Sequence, residues 1–348
     1  MILDTRDAPY LRGTFTIDKT IYLKDIKQTF ISAKGAGIPG HSAGINFSSV
    51  TKPAIGEFIE RQSLFYNYKK NNMQMSAFRL INGDEILVPA DKMVFIENFN
   101  DSCGVASHLN SKDAILNAFL EFFERQSFIY TWITASQGTL IPDGFIKNNK
   151  TTVLYEILNS FVNDIYLFEI SLHPIIKVVF GLGIGKYHKA TGLSAAFTLE
   201  EAIESSLKEM VQCISQKYNK RDIDYFESFD KNDKNDIYVQ YYEQFTPNEF
   251  LNEFSFLFNR CSKSLISTDK VSNINEAIEI IEKELEIEIY CSLIPTFYKG
   301  FRTKIVKVFS PNGYPHMLPV KFDESTTKLV FNKSNKKFPN AYKQIPFP

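Results

Sequence analysis

The chain has no surplus of basic charge: 39 Lys and Arg stand against 40 Asp and Glu, a net charge of −1 over 348 residues. Nucleic-acid binding calls for a basic surface, so nucleic acid is excluded as the main partner. Cysteine is scarce. Cys103, Cys213, Cys261 and Cys291 are widely spaced, with no C-x-x-C pair and no histidine at ligand spacing, which argues against a zinc site and a disulfide scaffold. The histidines, His41, His108, His173, His188 and His316, are scattered and read as structural or exposed. Long apolar runs are missing too. The most apolar stretch, residues 174–184, is short and carries Lys177, and residues 1–7 lack the basic and apolar regions of a secretory signal. These absences predict a cytoplasmic protein with no membrane partner.

What is present is a repeat. Gly56-Glu57-Phe58-Ile59-Glu60-Arg61-Gln62-Ser63 recurs as Leu120-Glu121-Phe122-Phe123-Glu124-Arg125-Gln126-Ser127, identical at six places including every charged one. On a helix, positions i, i+3 and i+4 share a face, so each copy presents two carboxylates and a guanidinium together. One copy alone reads as an ordinary turn of surface helix, laced by a Glu–Arg pair of a few tenths of a kcal/mol. Recurrence changes that, because a solvated face needs no such repetition, and only eight of the 39 basic residues are Arg. Clustered carboxylates suit Mg²⁺, and Arg suits bidentate phosphate recognition.

Helical and strand patterns mix without regular alternation, which predicts an α+β fold. Helices are expected at 51–68 and 111–132, containing the two copies, the second entered through the Asn110-Ser111 cap. Residues 78–81 and 85–89 read as a hairpin turned at Asn82-Gly83-Asp84. A third helix opens at Thr198 with Glu201 as a capping box and carries Glu209 and Gln212, an uncharged variant of the same facial spacing. The glycines at 181–185 follow an apolar strand but open no helix; they read as a strand-end turn, with a further turn at Gly192, rather than a dinucleotide fingerprint. Ser42, among Gly35, Gly37, Gly40 and Gly44, reads as part of a plain turn or of a loop lining a phosphate. Residues 218–272 turn polar and aromatic, reading as a helical excursion or linker; aromatics between 225 and 260 are candidates for a docking surface. A helix is expected at 275–285, then strands at 286–293 and 303–309. Composition alone would make residues 344–348 a disordered tail.

Taken together, Gly56-Glu57-x-x-Glu60-Arg61, Asp101-Ser102-Cys103-Gly104-Val105-Ala106 with Glu121-x-x-Glu124-Arg125, the stretch 192–212 ending in Glu209-x-x-Gln212, the strand 304–308 and the terminal Pro346-Phe347-Pro348 resemble the YcaO family, in that order and over nearly the whole chain. Within it they resemble most the D subunits of microcin-type thiazole and oxazole synthetases. The resemblance implies one YcaO domain over 1–348, with a variable excursion at about 218–272, a proline-ended tail at 338–348, and repeated helix motifs around a nucleotide site. It implies an ATP- and Mg²⁺-dependent cyclodehydratase that converts Cys, Ser or Thr of a ribosomal precursor peptide to an azoline. Partners would be a leader-binding scaffold subunit and a flavin-dependent dehydrogenase. The alternatives are thioamide or amidine formation, or a non-catalytic nucleotide-binding subunit.

By the same resemblance Glu57, Glu60, Glu121 and Glu124 are metal- and nucleotide-binding, and Arg61 and Arg125 are the motif arginines. Glu209 and Gln212 form the third motif, and Lys307 stands where relatives usually show Arg. Ser102 is a candidate phosphate contact, as is Ser42 from its place among the glycines. Pro346 and Pro348 belong to a tail that reaches the active site and matters for catalysis rather than folding, with the Pro348 carboxylate a candidate base. The chain departs from many relatives at Pro53, where they have Ser, and at Cys103 and His108-Leu109-Asn110.

Overall fold

In the computed structural model, which describes residues 15–23, 26–33, 39–65, 73–94, 102–216, 237–259, 273–296, 302–322, 327 and 338–348, the chain begins with three strands. β1 (Phe15–Leu23) pairs with β2 (Ile26–Ala33), and β2 with β3 (Gly40–Gly44), leaving β3 an edge. Helix α1 (Phe47–Phe65) starts earlier than the expected residue 51 because Asn46 caps it, its Oδ1 accepting from Ser49 N at 2.9 Å. The expected end at 68 lies outside the described residues. β4 (Gln74–Arg79) and β5 (Glu85–Pro89) form the hairpin, with Gly83 at φ +78° and Asn82 Nδ2 donating to Asp84 Oδ2 at 2.6 Å. β6 (Val105–His108) leads into α2 (Ser111–Thr134), whose cap Asn110 accepts from Lys112 N at 2.9 Å.

β7 (Thr139–Leu140), α3 (Asn149–Asn159), β8 (Asp164–Glu169), β9 (Lys177–Ile184) and β10 (Lys189–Ala196) follow. Then come α4 (Leu199–Gln216), α5 (Ile237–Glu243), α6 (Pro247–Glu253), α7 (Ile274–Leu285), β11 (Tyr290–Ile294) and β12 (Lys304–Phe309). Every described strand pair is antiparallel, so the fold is α+β. No described helix is long and apolar enough to cross a membrane.

The residues fall into two compact units: Met1–Phe122, Asn273–His316 and Glu324–Leu329 in the first, and Phe123–Ser272, Met317–Asp323 and Val330–Pro348 in the second. In the first, α1 packs on β2, β3 and β6. Its Ala54, Phe58 and Ile59 share a core with Met75, Ala77, Val105, Ile294 and Ile305 of the five-stranded sheet β5-β4-β11-β12-β6. Gly40 makes the approach possible, since a Cβ there would stand 2.2 Å from the Ala54 carbonyl.

In the second unit, α4 lies on β9 and β10 of the sheet β10-β9-β8-β7. Of the glycines expected in turns, Gly185 is in one, its N–H donating to the His188 carbonyl at 2.8 Å, while Gly181 and Gly183 lie inside β9 and Gly192 inside β10. Those inside the strands serve packing. A Cβ at Gly181 would meet Met210 Sδ at 2.5 Å, and one at Gly192 the Ser206 carbonyl at 2.1 Å. On the other side, Phe128 and Trp132 of α2 meet Phe180 and Phe254 at ring separations of 4.7–6.2 Å. Tyr242, Phe250 and Phe254, in the excursion expected to offer a docking surface, are buried core. Their rings pack edge-on against one another, and Phe254 stacks on Phe128 of α2. The rest of that excursion lies outside the described residues.

Candidate functional site

The first unit gathers the first copy of the repeat and, from the second, Glu121. Phe58 and Ile59 point into the core, which leaves Glu57, Glu60 and Arg61 along the border of α1. β3, an edge strand, turns its His41 N–H outward, and Glu57 Oε2 accepts it at 2.6 Å. The other oxygen of Glu57 pairs with Arg61 Nη2 at 2.7 Å, one turn along the helix. Arg61 Nη1 donates to the Pro39 carbonyl at 2.8 Å, tying the guanidinium to the chain entering β3. Glu60 is partly buried, with Glu121 and Glu57 as charged neighbours. Burial first, then these two carboxylates, hold its carboxyl well above the usual value, while Arg61 and a hydrogen bond from Ser107 pull the other way.

Of the remaining first-unit candidates, Ser42 lies buried inside β3, in neither a turn nor a loop. Ser102 stands at the turn before β6, where its carbonyl accepts from Val105 N at 3.0 Å. The hydroxyl brought to the carboxylates is that of Ser107, five residues on. Lys307 is buried in β12 opposite Val105, and alternation along the strands puts it on the sheet face that carries Ser107. His41, expected to be structural or exposed, is buried beside this cluster. Desolvation and then Arg61 lower its pKa to about 4, so its ring is neutral at neutral pH.

The second unit holds the rest. β10 is again an edge, and its outward N–H groups are taken by carboxylates: Ala195 N donates to Glu124 Oε2 at 3.1 Å and Leu193 N to Glu209 Oε2 at 3.0 Å. The pairing of Glu209 depends on the close seat of α4 at Gly192. Gln212 lies one turn along α4, partly buried. Arg125 places its guanidinium 5.2 Å over the ring of Phe347, donates from Nη1 to Met317 Sδ at 2.9 Å, and has Nε 3.6 Å from Glu124 Oε1.

The tail is built in. Asn340 caps the end of α2, its N and Nδ2 donating to the carbonyls of Ile133 and Trp132, and Trp132 Nε1 donates to the Lys343 carbonyl. Phe347 N donates to the Ile345 carbonyl at 3.0 Å across Pro346, whose fixed φ suits so tight a turn. Ile345, Pro346 and Phe347 are buried, with Phe347 against Phe128 and Phe180; Pro348 is partly exposed. A tail expected to matter for catalysis and not for folding is therefore also core, and burial of Phe347 alone contributes about 2–3 kcal/mol.

Among the described residues no three His, Cys, Asp or Glu already form a metal-holding group. Mg²⁺ bound to a nucleotide is usually held by one or two carboxylates plus phosphates and water, so such a group is not required. The donor chemistry fits: oxygen ligands only, several carboxylates around Glu60, and a raised proton affinity that a divalent cation would reverse.

Residues 66–312 match the family described as YcaO cyclodehydratase, ATP- and Mg²⁺-binding, a match that begins just after the first copy of the repeat. No curated protein matches the chain. Among solved structures it is similar to the E. coli microcin synthetase McbBCD complex at 18% identity, with 96% of each chain covered and a TM-score of 0.75. It is also similar to YcaO from Methanopyrus kandleri bound with AMPPCP and Mg²⁺, at 13% identity, 87% of each chain and a TM-score of 0.67. A heterocyclase in complex with substrate and cofactor gives 13% identity and a TM-score of 0.66, over 88% of this chain and 50% of that one. The fold is theirs in common, and with more than two-thirds of its length matching the family description, the chain belongs to the YcaO family.

Proposed function

We propose that the protein is the ATP- and Mg²⁺-dependent cyclodehydratase subunit of an azole-forming synthetase acting on a ribosomal precursor peptide. The observation that carries this reading is the approach of Glu57 and Glu121 to the partly buried carboxyl of Glu60 in a member of this family. The likeness to a microcin synthetase complex, also solved with pro-MccB17 bound, supports a peptide substrate and further subunits. Those subunits would be a leader-binding scaffold and, for aromatic azoles, a flavin-dependent dehydrogenase.

A Cys, Ser or Thr side chain of the substrate attacks the preceding backbone carbonyl carbon, giving a hemiorthoamide. Its oxygen attacks the γ-phosphorus of ATP and ADP leaves. Phosphate then departs with that oxygen as the C–N double bond forms and the amide nitrogen loses its proton, leaving the azoline. The amide oxygen is a poor leaving group until phosphorylated, so the work of the protein is positioning and charge neutralisation. Bound Mg²⁺ would neutralise charge on the transferring phosphoryl group. Glu57, Glu60, Glu121 and Glu124 would hold it, the edge N–H groups of β3 and β10 fixing the rotamers of Glu57 and Glu124 in advance. Arg61, Arg125 and Lys307 supply cations for phosphate oxygens, with Ser42, Ser102, Glu209 and Gln212 as further nucleotide contacts. Pro346 and Pro348 would bring the tail to the substrate.

The test is the mass of a Gly/Ser/Cys-rich precursor peptide, encoded beside this protein, after incubation with the chain, its scaffold subunit and Mg-ATP. Loss of one water per ring is expected, dependent on ATP and abolished by Glu121→Gln, which removes a charge without changing core volume. ATP consumption with unchanged peptide mass points to another amide-activating reaction. No ATP consumption and unchanged mass overturn the enzymatic reading.

A further inference from the structure

Arg125 is held in an unusual way for a phosphate-facing arginine. Phe347 of the tail covers one face of its guanidinium at 5.2 Å, and the thioether of Met317 accepts from Nη1 at 2.9 Å. Neither contact brings a negative charge that competes with an anionic ligand, and the carboxylate of Glu124 stands 3.6 Å from Nε. Phe347 is fixed in turn: its ring packs edge-on against Phe128, 5.1 Å away and one turn along α2 from Arg125, and lies 6.3 Å from Phe180. The Pro346 turn and the Asn340 cap lock the segment to the same helix.

We propose that Phe347 is a positioning residue for Arg125: its ring, delivered by the tail, holds the guanidinium in the orientation that meets the phosphates of the nucleotide. The role rests on the nucleotide site proposed above and extends it, giving the aromatic residue between the two terminal prolines a task of its own. A guanidinium over an aromatic face is stabilised by the ring quadrupole, an attraction an aliphatic side chain of similar bulk cannot supply.

The experiment compares Phe347→Leu, Phe347→Tyr and Phe347→Trp with the wild type in the full chain. Mg-ATP affinity is measured by calorimetry and the melting midpoint recorded alongside. Leu keeps the apolar filling, so its midpoint should stay within a few degrees of wild type, while its affinity for Mg-ATP falls roughly 3- to 10-fold. Tyr, which keeps the π face, should bind within about twofold of wild type. Trp, also aromatic but larger, should recover affinity relative to Leu even where its bulk lowers the midpoint. A Leu variant that binds as the wild type does, or aromatic variants no better than Leu, overturns the positioning role alone. Wild-type protein that binds no Mg-ATP overturns the nucleotide site together with it.

Discussion

Three glutamates of the motifs are held by backbone N–H groups at strand edges: Glu57 by His41, Glu124 by Ala195 and Glu209 by Leu193. An edge N–H that would otherwise need water or another strand becomes a fixed donor for a carboxylate. The repeat was legible in the sequence, but this use of it was not, because the donor and acceptor are brought together by tertiary packing. Nor did spacing show that Glu121 would neighbour Glu60 while Glu124, one turn on, accepts from β10. Ser107 escaped notice, and the place of His41 beside the cluster was not read, because a lone Ser and a lone His carry no pattern. His41 leads to a prediction about pH. Its folded pKa of about 4 lies below the ordinary 6.5, so the unfolded chain takes up the proton more readily. The stability it contributes is present above about pH 6.5 and lost as pH falls toward 4. Between pH 7 and 5 the loss is about 2 kcal/mol. Urea midpoints at both pH values should fall more in the wild type than in His41→Gln; Glu60, raised in the opposite sense, is common to both proteins and cancels. Equal falls would show that His41 is not the group responsible.

Elements were read from the sequence more securely than residues. α2, α4, α7 and the β4–β5 hairpin stand within a few residues of expectation, because caps and turn residues act locally: Asn110, Thr198 and Asn273 at helix starts, Gly83 at the turn. The glycines of β9 and β10 misled, since a Gly required by a helix on the far side of a strand looks, in sequence, like a Gly required by a turn. That difference is testable by adding one methyl group. At Gly192 a Cβ would stand 2.1 Å from the Ser206 backbone carbonyl, so Gly192→Ala must push α4 away from β10 and take Glu209 from Leu193 N. At Gly83 a Cβ meets nothing within 4 Å, and only the positive φ opposes it. Gly192→Ala is expected to cost about 2 kcal/mol or more and to weaken Mg-ATP binding. Gly83→Ala should cost about 1 kcal/mol and leave binding intact. Chemical denaturation with nucleotide titration separates the two, and normal binding in Gly192→Ala would remove Glu209 from the nucleotide site.

Over the whole chain, the absence of regular strand and helix alternation made the α+β class legible. The division into two units was not, because the first takes its central strands β11 and β12 from residues far along the chain, after residues 123–272 of the second. Candidate ligands divide the same way, Glu57, Glu60 and Glu121 in the first and Glu124, Arg125 and Glu209 in the second. With a net charge of −1 the protein has no general field to draw in an anionic nucleotide, so binding must come from these local groups. Ligand-linked stability tests each set by itself. A nucleotide that binds only the folded chain stabilises it by about 2.7 kcal/mol at a hundredfold excess over Kd. The wild type should therefore melt at a higher temperature in Mg-ATP than in buffer, with a smaller shift when the metal is chelated, since the carboxylates around Glu60 repel an unneutralised phosphate. Glu121→Gln in the first unit and Arg125→Ala in the second should each reduce the shift at the same nucleotide concentration. If one variant keeps the full wild-type shift, the nucleotide is held without that residue.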